Sequence, residues 1–552
     1  MKKKRYFLNG CITIKYSTLF FIVAALLCSF QPVFAAAPEN ENIAPGVTLA
    51  KQAVKDAKRW TTTDHSQHEA LKQNFTTGEE ITKACLSCHT SADKQIHETI
   101  HWTWRATGEG KDITYGKAGD SLNSFCLSGN GMKDKGCLKC HIGWNKKGVD
   151  GQINCLSCHN NSGFNFLSAF SDIKAFLKDG DPETNQIVPT IQDKIKEAVT
   201  RVAFPSRANC GRCHFNGGGG DGVKHGDLDS SIINPNKNLD VHMGTDGQNF
   251  SCTRCHTTVE HHIAGRIYTN PAVSKRKSLI DDDMAPKITC VSCHSDTPHK
   301  NHTKMNDHTD VVACQACHIP TYARELPTQM IWDWSTAGKL KNGKPYNENG
   351  PFGRPIYKSI KGSFTWDKNV RPEYHWFNGS LTGTTVKDTI DPGEVVKVSC
   401  PVGAESDLPS LIFPFKIHRG IQPYDKINKT LAAPMLSGKK GYWKTFDMND
   451  AIKNGHQALG IPYSGEFDYV KTTYAYPITH MVAPKESVVD CIECHTSKDG
   501  RLADISGVFI PGRDTNTLLT SIGLIVIFGT LGIIILHAIG RIMAGKNGKK
   551  EA

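Results

Sequence analysis

The string Cys-x-x-Cys-His occurs eight times in this chain of 552 residues, first as Cys85-Leu86-Ser87-Cys88-His89. The remaining copies are Cys137/Cys140/His141, Cys155/Cys158/His159, Cys210/Cys213/His214, Cys252/Cys255/His256, Cys290/Cys293/His294, Cys314/Cys317/His318 and Cys491/Cys494/His495. Random placement of the cysteines and histidines would give only about 0.03 such strings. Two thiols three residues apart can each form a thioether to one vinyl group of a haem, and the adjacent imidazole is then held beneath the iron as its proximal ligand. Zinc also uses Cys-x-x-Cys pairs, but it needs a second pair and has no use for a histidine directly after the second cysteine. Eight covalently bound c-type haems are therefore expected, consuming sixteen of the 20 cysteines.

A haem with two strong protein ligands relays electrons, whereas one with a weakly held face can act on a substrate. Sixteen of the 24 histidines lie outside the motifs, about twice what seven or eight distal positions require. Suggestive settings are His97 and His101-Trp102, Asp240-Val241-His242, Glu260-His261-His262, and His299 and His302 with His308. The expected distal ligands are His101, His242, His262, His302, His308, His418 and His480, and counting alone does not say which proximal histidine each one faces. Cys126 and Cys400 belong to no motif, and in an oxidising compartment the two could form a disulfide.

The elements that hold these groups are read from spacing. Thirteen residues separate His141 from Cys155 and 19 separate His294 from Cys314, which brings neighbouring haems into electronic contact. Phe164 to Val202 lacks cysteine, and the spacing of Ile191, Ile195 and Val199 predicts an αα-hairpin broken near Lys178-Asp179-Gly180-Asp181-Pro182. Asn216 precedes Gly217 to Gly220, either a surface loop or a backbone that approaches a ligand or haem edge closely. The Gly-Lys-Ser/Thr ending of a phosphate loop is missing. From Ile319 to Asp490 no motif occurs, and Trp332, Trp334, Trp366, Trp376, Phe413, Phe415, Tyr424 and Trp443 stud a Gly/Pro-rich stretch read as irregular wall around the haems. The expected fold is thus mainly α with extensive irregular loops, a multihaem cytochrome c fold organised around packed haems, plus one C-terminal transmembrane helix. With 39% hydrophobic and 8% aromatic residues, the macrocycles must supply part of the core.

The net charge of +11 is concentrated at the ends, and only +3 remains between the leader and the tail. Haem propionates, roughly −16 in all, would turn the holoprotein acidic, so nucleic acid is not an expected partner. Residues 1–36 have a basic start, an apolar stretch from Leu19 to Phe30 and a small-residue exit, the pattern of a signal peptide that discards Cys11 and Cys28. Leu518 to Gly540 carries no formal charge over 23 residues and is long enough to span a membrane. Arg541, Lys546, Lys549 and Lys550 follow it, which puts the C-terminus in the cytoplasm and residues 37–512 on the periplasmic or extracytoplasmic face, with 513–552 as anchor and tail. His537 near the cytoplasmic end of the span is read as interfacial.

Most of the exported length resembles the octahaem tetrathionate reductase family of multihaem c-type cytochromes. The likeness rests on the eight motifs with a long gap before the last and on Asp221-Gly222-Val223-Lys224-His225-Gly226-Asp227. It rests also on Cys317-His318-Ile319-Pro320-Thr321-Tyr322-Ala323-Arg324 followed by Trp332-Asp333-Trp334-Ser335. The resemblance implies that the second haem, at Cys137, Cys140 and His141, has lysine instead of histidine on its distal side, here Lys224, and that a cysteine lies near it, here Cys126. A lysine must be neutral to bind iron and is more displaceable than imidazole.

The function expected from this likeness is a membrane-tethered multihaem oxidoreductase that reduces small sulfur or nitrogen compounds such as tetrathionate, nitrite or hydroxylamine. Lys224, Cys126, His225 and Asp227 would then surround the substrate and deliver protons. The alternatives are a conduit with every iron saturated, or a hydroxylamine-oxidising relative whose active haem is linked to a tyrosine, for which Tyr463, Tyr469, Tyr474 and Tyr476 are available. A quinol-linked membrane cytochrome or a soluble carrier would be the redox partner, and a homo-oligomer is compatible with the sequence.

Overall fold

The computed structural model describes residues 63–107, 114–123, 127, 129, 137–144, 152–179, 184–265, 288–408 and 410–547. The expected signal peptide and Cys126 lie outside the described residues. Helix α1 (Gly78–Leu86) opens with a capping box between Thr77 and Glu80 and carries the first motif out of its last turn. Its Thr82 hydroxyl accepts from Trp144 Nε1 at 2.6 Å and donates to the Ile153 carbonyl at 2.6 Å, tying the first motif to the loops of the second and third. A Cβ at Gly78 would sit 2.0 Å from the Trp144 ring, so only glycine allows this approach.

The predicted hairpin forms as helices α2 (Phe166–Asp179) and α3 (Thr184–Thr200). Ile173, Ile195 and Val199 are buried in one cluster with Phe75, Ile81 and Trp144. Each such side chain contributes about 1.5–3 kcal/mol, so the hairpin braces the first haem site. Helix α4 (Arg207–His214) holds the fourth motif and is capped reciprocally by Ser206 and Asn209. Its Arg207 is buried and donates to the carbonyls of Phe250 (2.7 Å), Ile233 (3.1 Å) and Met243 (2.6 Å) and to Asn249 Oδ1 (2.9 Å). One guanidinium thereby fastens the 233–250 loop beneath the motif.

The expectation of a mainly α protein is overturned, because the molecule is 35% helix and 19% strand. Residues read from sequence as irregular wall build a ten-stranded sheet. In chain order its strands are β1 (Thr328–Asp333), β2 (Asn347–Asn349), β3 (Pro355–Lys358), β4 (Gly362–Asp367), β5 (Glu373–Phe377), β6 (Ser380–Thr382), β7 (Val396–Val402), β8 (Leu411–Asp425), β9 (Thr430–Leu431) and β10 (Phe467–Pro477). The spatial order is β6-β7-β10-β8-β1-β4-β3-β2, with β5 and β9 also pairing to β8. β8 is the spine, antiparallel to β10 from Phe415 to Asp425 and parallel to β1.

Alternation along β8 explains why it was hard to read. Phe413, Phe415 and Ile417 point to a core with Phe377, Leu381 and Ala475. The opposite face carries Lys416, His418 and Gln422, all at 0% exposure. Polar residues at every second position look like a solvated face, yet this strand is enclosed on both sides.

Beyond the sheet the chain returns to the last motif and ends in helix α5 (Thr517–Asn547). Its stretch Thr517–Ala544 is apolar, unburied and long enough to cross a membrane, and it contains the segment predicted to span. It is the only such helix among the described residues.

Candidate haem-binding sites and a cationic cavity

Six proximal histidines each face a second imidazole. The ring centroids are 6.4 Å apart for His89 and His65, 6.2 Å for His214 and His101, 6.3 Å for His256 and His480, 6.1 Å for His294 and His242, 6.1 Å for His318 and His299, and 6.0 Å for His495 and His308. Two metal–nitrogen bonds of about 2 Å plus two half-rings span about 6 Å, so each pair has the separation of two axial ligands on one iron. His159, His256 and His495 also donate Nδ1 to the carbonyls of Ala203, Ala264 and Pro511 at 2.9 Å, which leaves Nε2 for a metal. The residues present fit c-type haem.

Of the seven distal histidines expected, the structure sets His101, His242, His308 and His480 opposite proximal ones. His65 and His299 occupy positions the sequence reading did not assign. His302 is exposed at the start of a short helix, and His418 is enclosed within the sheet. His262 lies exposed in a strand paired to Val259, while the intervening turn holds Glu260 and His261 at φ of 49° and 65°. Turns of this kind need two left-handed residues and usually take Asn or Gly. Here they present His261 toward Gln95, whose Oε1 lies 2.8 Å from Nδ1, and toward the charge of His159. Which of His261 and His262 turns inward here follows from the register that the turn sets.

Two buried carboxylates set the ligating loops. Asp227 accepts from the Thr479 and His480 amides at 2.7 and 2.9 Å and from His480 Nδ1 at 3.2 Å. Burial alone would raise its carboxyl, but the hydrogen bond and charge of His480 outweigh this and hold it at about 2. Asp240 accepts from the amides of His242, Met243, Met481 and Val482. Asp227 thus orients His480, opposite His256, instead of entering the surroundings of the second motif. His225 stacks edge-on to Tyr476 at 4.9 Å, and burial pushes its imidazole down to about 3, with Lys224 and Lys416 acting in the same sense and Asp227 against it.

The second motif differs from the others. His141 lies against the indoles of Trp102 and Trp104, at 4.8 and 5.1 Å. Its Nε2 meets the Trp102 carbonyl at 2.9 Å, and Nδ1 is buried with no partner among the described residues. Beside Cys140 opens a cavity of about 690 Å³, lined among the described residues by Lys117, Lys139, Arg212, Lys361, several asparagines and Gly217 to Gly219, and by no carboxylate. Asn123, also in its wall, accepts from Lys224 Nζ at 2.6 Å. A side chain at Gly218, whose φ is +114°, would come 3.3 Å from that Nζ, so the glycine run gives Lys224 its room.

The loop beneath Lys224 is fastened by the sheet. Thr328 on β1 donates from Oγ1 to the Gly222 carbonyl at 2.7 Å, and Lys416 on β8 donates to the Val223 carbonyl at 2.9 Å and to Thr328 Oγ1 at 2.5 Å. Burial drives the Lys416 amine well below the ordinary lysine range, with Asp227 acting against it. Sequence reasoning missed Thr328 and Lys416. The only signal was a lysine between Phe415 and Ile417. Cys400 lies on β7, opposite Thr382.

The motif sulfurs report how the haem sites adjoin. The thiols drawn here become thioethers, which do not titrate, so only adjacency matters. Cys85 is a hydrogen-bond neighbour of Cys155, Cys140 of Cys213, Cys210 of Cys252 and Cys290 of Cys314. Cys158 lies within electrostatic reach of Cys210, Cys255 of Cys293 and Cys317 of Cys494. The sites therefore follow one another as first, third, fourth, fifth, sixth, seventh and eighth, with the second branching from the fourth.

Thioether-spaced cysteines, facing imidazoles and contiguous sites define a multihaem c-type cytochrome that binds haem covalently and has a redox function. A family model described as bacterial cytochrome c matches residues 329–498. A crystal structure of an octahaem cytochrome c from Shewanella oneidensis is similar at 36% identity and a TM-score of 0.65, covering 79% of this chain and 94% of that one. An uncharacterised protein of Archaeoglobus fulgidus is 23% identical over 252 residues, 37% of this chain and 82% of that protein. The chain belongs to the family of that octahaem cytochrome c.

Proposed function

We propose that the protein binds eight haems and is an exported, membrane-anchored reductase of small anionic sulfur or nitrogen compounds, tetrathionate or nitrite before hydroxylamine. The observation that carries this reading is the cavity beside the second motif, lined among the described residues by four cations and no carboxylate, with Lys224 bonded to Asn123 in its wall. The two propionates of one haem would offset about two of those charges, and the remainder attracts an anion. The haems that the eight motifs would hold would supply one-electron transfer, and the one held by Cys137, Cys140 and His141 would supply it to the substrate.

Lys224 serves as the displaceable group on that side, and Asn123 receives its amine when an anion takes its place. Lys117, Lys139 and Arg212 orient the anion, while Lys224 returns a proton to the reduced product. His225 and Asp227 stand behind the lysine and keep its loop and His480 in position. Cys126 is assigned to the same site by the family resemblance. The facing imidazoles at six of the other sites suit relay alone.

The test is Lys224→Ala in the full chain. The low-spin signal of one haem is expected to change while the histidine pairs keep theirs, and reduction of tetrathionate or nitrite by the prereduced protein should fall by about 10²–10⁴-fold. Unchanged spectra and rates would leave a conduit as the better description.

A further inference from the structure

We propose that the eighth motif is the port through which electrons arrive from the membrane, and that the strap joining it to α5 is the docking face for a membrane-embedded protein that oxidises a hydroquinone. This rests on the reductase direction proposed above. His495 Nδ1 donates to the carbonyl of Pro511 at 2.9 Å, and Gly512, at φ +93°, packs so closely that a Cβ would sit 2.8 Å from the His495 carbonyl. From Pro511 to the first residue of α5 is six residues, a reach of at most about 20 Å.

That connection is held rather than loose. Arg513 donates to the carbonyls of Leu502, Ile505 and Val508 and pairs with Asp514 at 2.7 Å, and Asp514 in turn accepts from the Ile510 amide. Asn516 caps the first turn of α5 through the Leu519 amide at 3.1 Å. Only Thr515 between these anchorages has no hydrogen bond of this kind assigned to it, so the eighth haem site and the start of the apolar helix keep a fixed relation.

Large apolar side chains are exposed along this segment among charged ones. Ile492, inside the motif, is 69% exposed, Phe509 in the strap is 63% exposed, and Leu518 and Leu519 in the first turn of α5 are exposed too, while Asp490, Lys498, Asp499 and Asp504 supply exposed charge. Exposed apolar side chains leading into a helix apolar and long enough to cross a membrane suit a partner that is itself in the membrane. The eighth site is also terminal in the row of sites, and Cys317 beside Cys494 leads inward toward the fourth and second. In the step, the hydroquinone becomes quinone and releases two protons, and its two electrons reduce two ferric haems of the row.

The experiment uses membrane vesicles that carry the full chain with its native membrane complement, given a menaquinol analogue, and follows haem reduction by stopped-flow absorbance. One variant inserts about ten Gly/Ser residues after Asp514, adding an r.m.s. reach of about 17 Å while keeping anchor and motif. A second is Ile492→Glu with Phe509→Glu. Both should lose the fast quinol-driven phase and keep haem content and reduction by dithionite. A fast phase retained in the linker variant overturns the proposal, and that variant decides alone if the double glutamate variant loses haem. Viologen-driven reduction of tetrathionate or nitrite tests the reductase reading separately, since it bypasses the strap.

Discussion

Between Cys85 and His318 the described backbone consists of helices, turns and two-residue strand pairs, whereas from Thr328 to Pro477 it is built around a sheet that contains no motif. The first region makes each ligand pair from local devices. An Asp carboxylate under a turn, a capped helix or a buried arginine suffices, because an imidazole at either face of the macrocycle needs only a fixed direction. The second region supplies no proximal ligand, yet it fixes the one site that departs from the pattern. Lys224 has no helix of its own, and the loop before it is held from β1 and β8 across more than a hundred residues of sequence. A central strand gives that loop a more rigid foundation than a turn would.

The comparison can be broken most severely in the first region. Arg207→Met removes the donor shared by three carbonyls and Asn249, so a loss of about 3–5 kcal/mol is expected, as for other buried charges stripped from their partners. Thermal denaturation should show it, and the loop that carries His242 should lose its low-spin signal first. In the second region Lys416→Met preserves the volume but frees the Val223 carbonyl. Each lost hydrogen bond is worth about 1–3 kcal/mol, so turnover should fall by about ten- to a hundredfold, with the spectra of the six facing histidine pairs unchanged. Equal damage to all haem signals would show that the sheet supports the whole row and not one site.

The smallest effect sharpens the seam between the regions. Asp229 is buried, and burial holds its carboxyl up near 6 against an ordinary value of 3.8. Because the folded state binds this proton more tightly, the ionised group costs stability at neutral pH. The cost shrinks as pH falls through 6 and is gone below 3.8. Asp229→Asn keeps the acceptor for the Ser231 amide and should raise stability at pH 7 by roughly 2 kcal/mol. The difference from the parent should vanish at pH 3.5, read as Tm against pH.

Much of the first region was legible because its chemistry is local. The motifs announce themselves, and the 164–202 hairpin follows from apolar residues at helical spacing. His242 and its neighbour Asp240 are two residues apart, a separation at which an aspartate naturally caps a turn. His65 and His299 were missed because a distal ligand belongs to no pattern of its own. His418 was chosen because a histidine in a strand looks the same from sequence whether it faces a haem or a sheet interior. The sheet itself escaped because Lys416, His418 and Gln422 interrupt its apolar residues, and the burial of a lysine depends on partners at Val223 and Thr328.

From the sequence alone come the covalent chemistry, the proximal ligands and the apolar helix at the C-terminal end, since each is written in contiguous residues. Tertiary structure decided which imidazoles meet, in what order the sites adjoin, and what holds the loop beneath Lys224. The physical reason is range: thioether spacing and membrane hydropathy are properties of short strings, while an axial pair or a buried amine exists only when segments far apart in the chain are packed together.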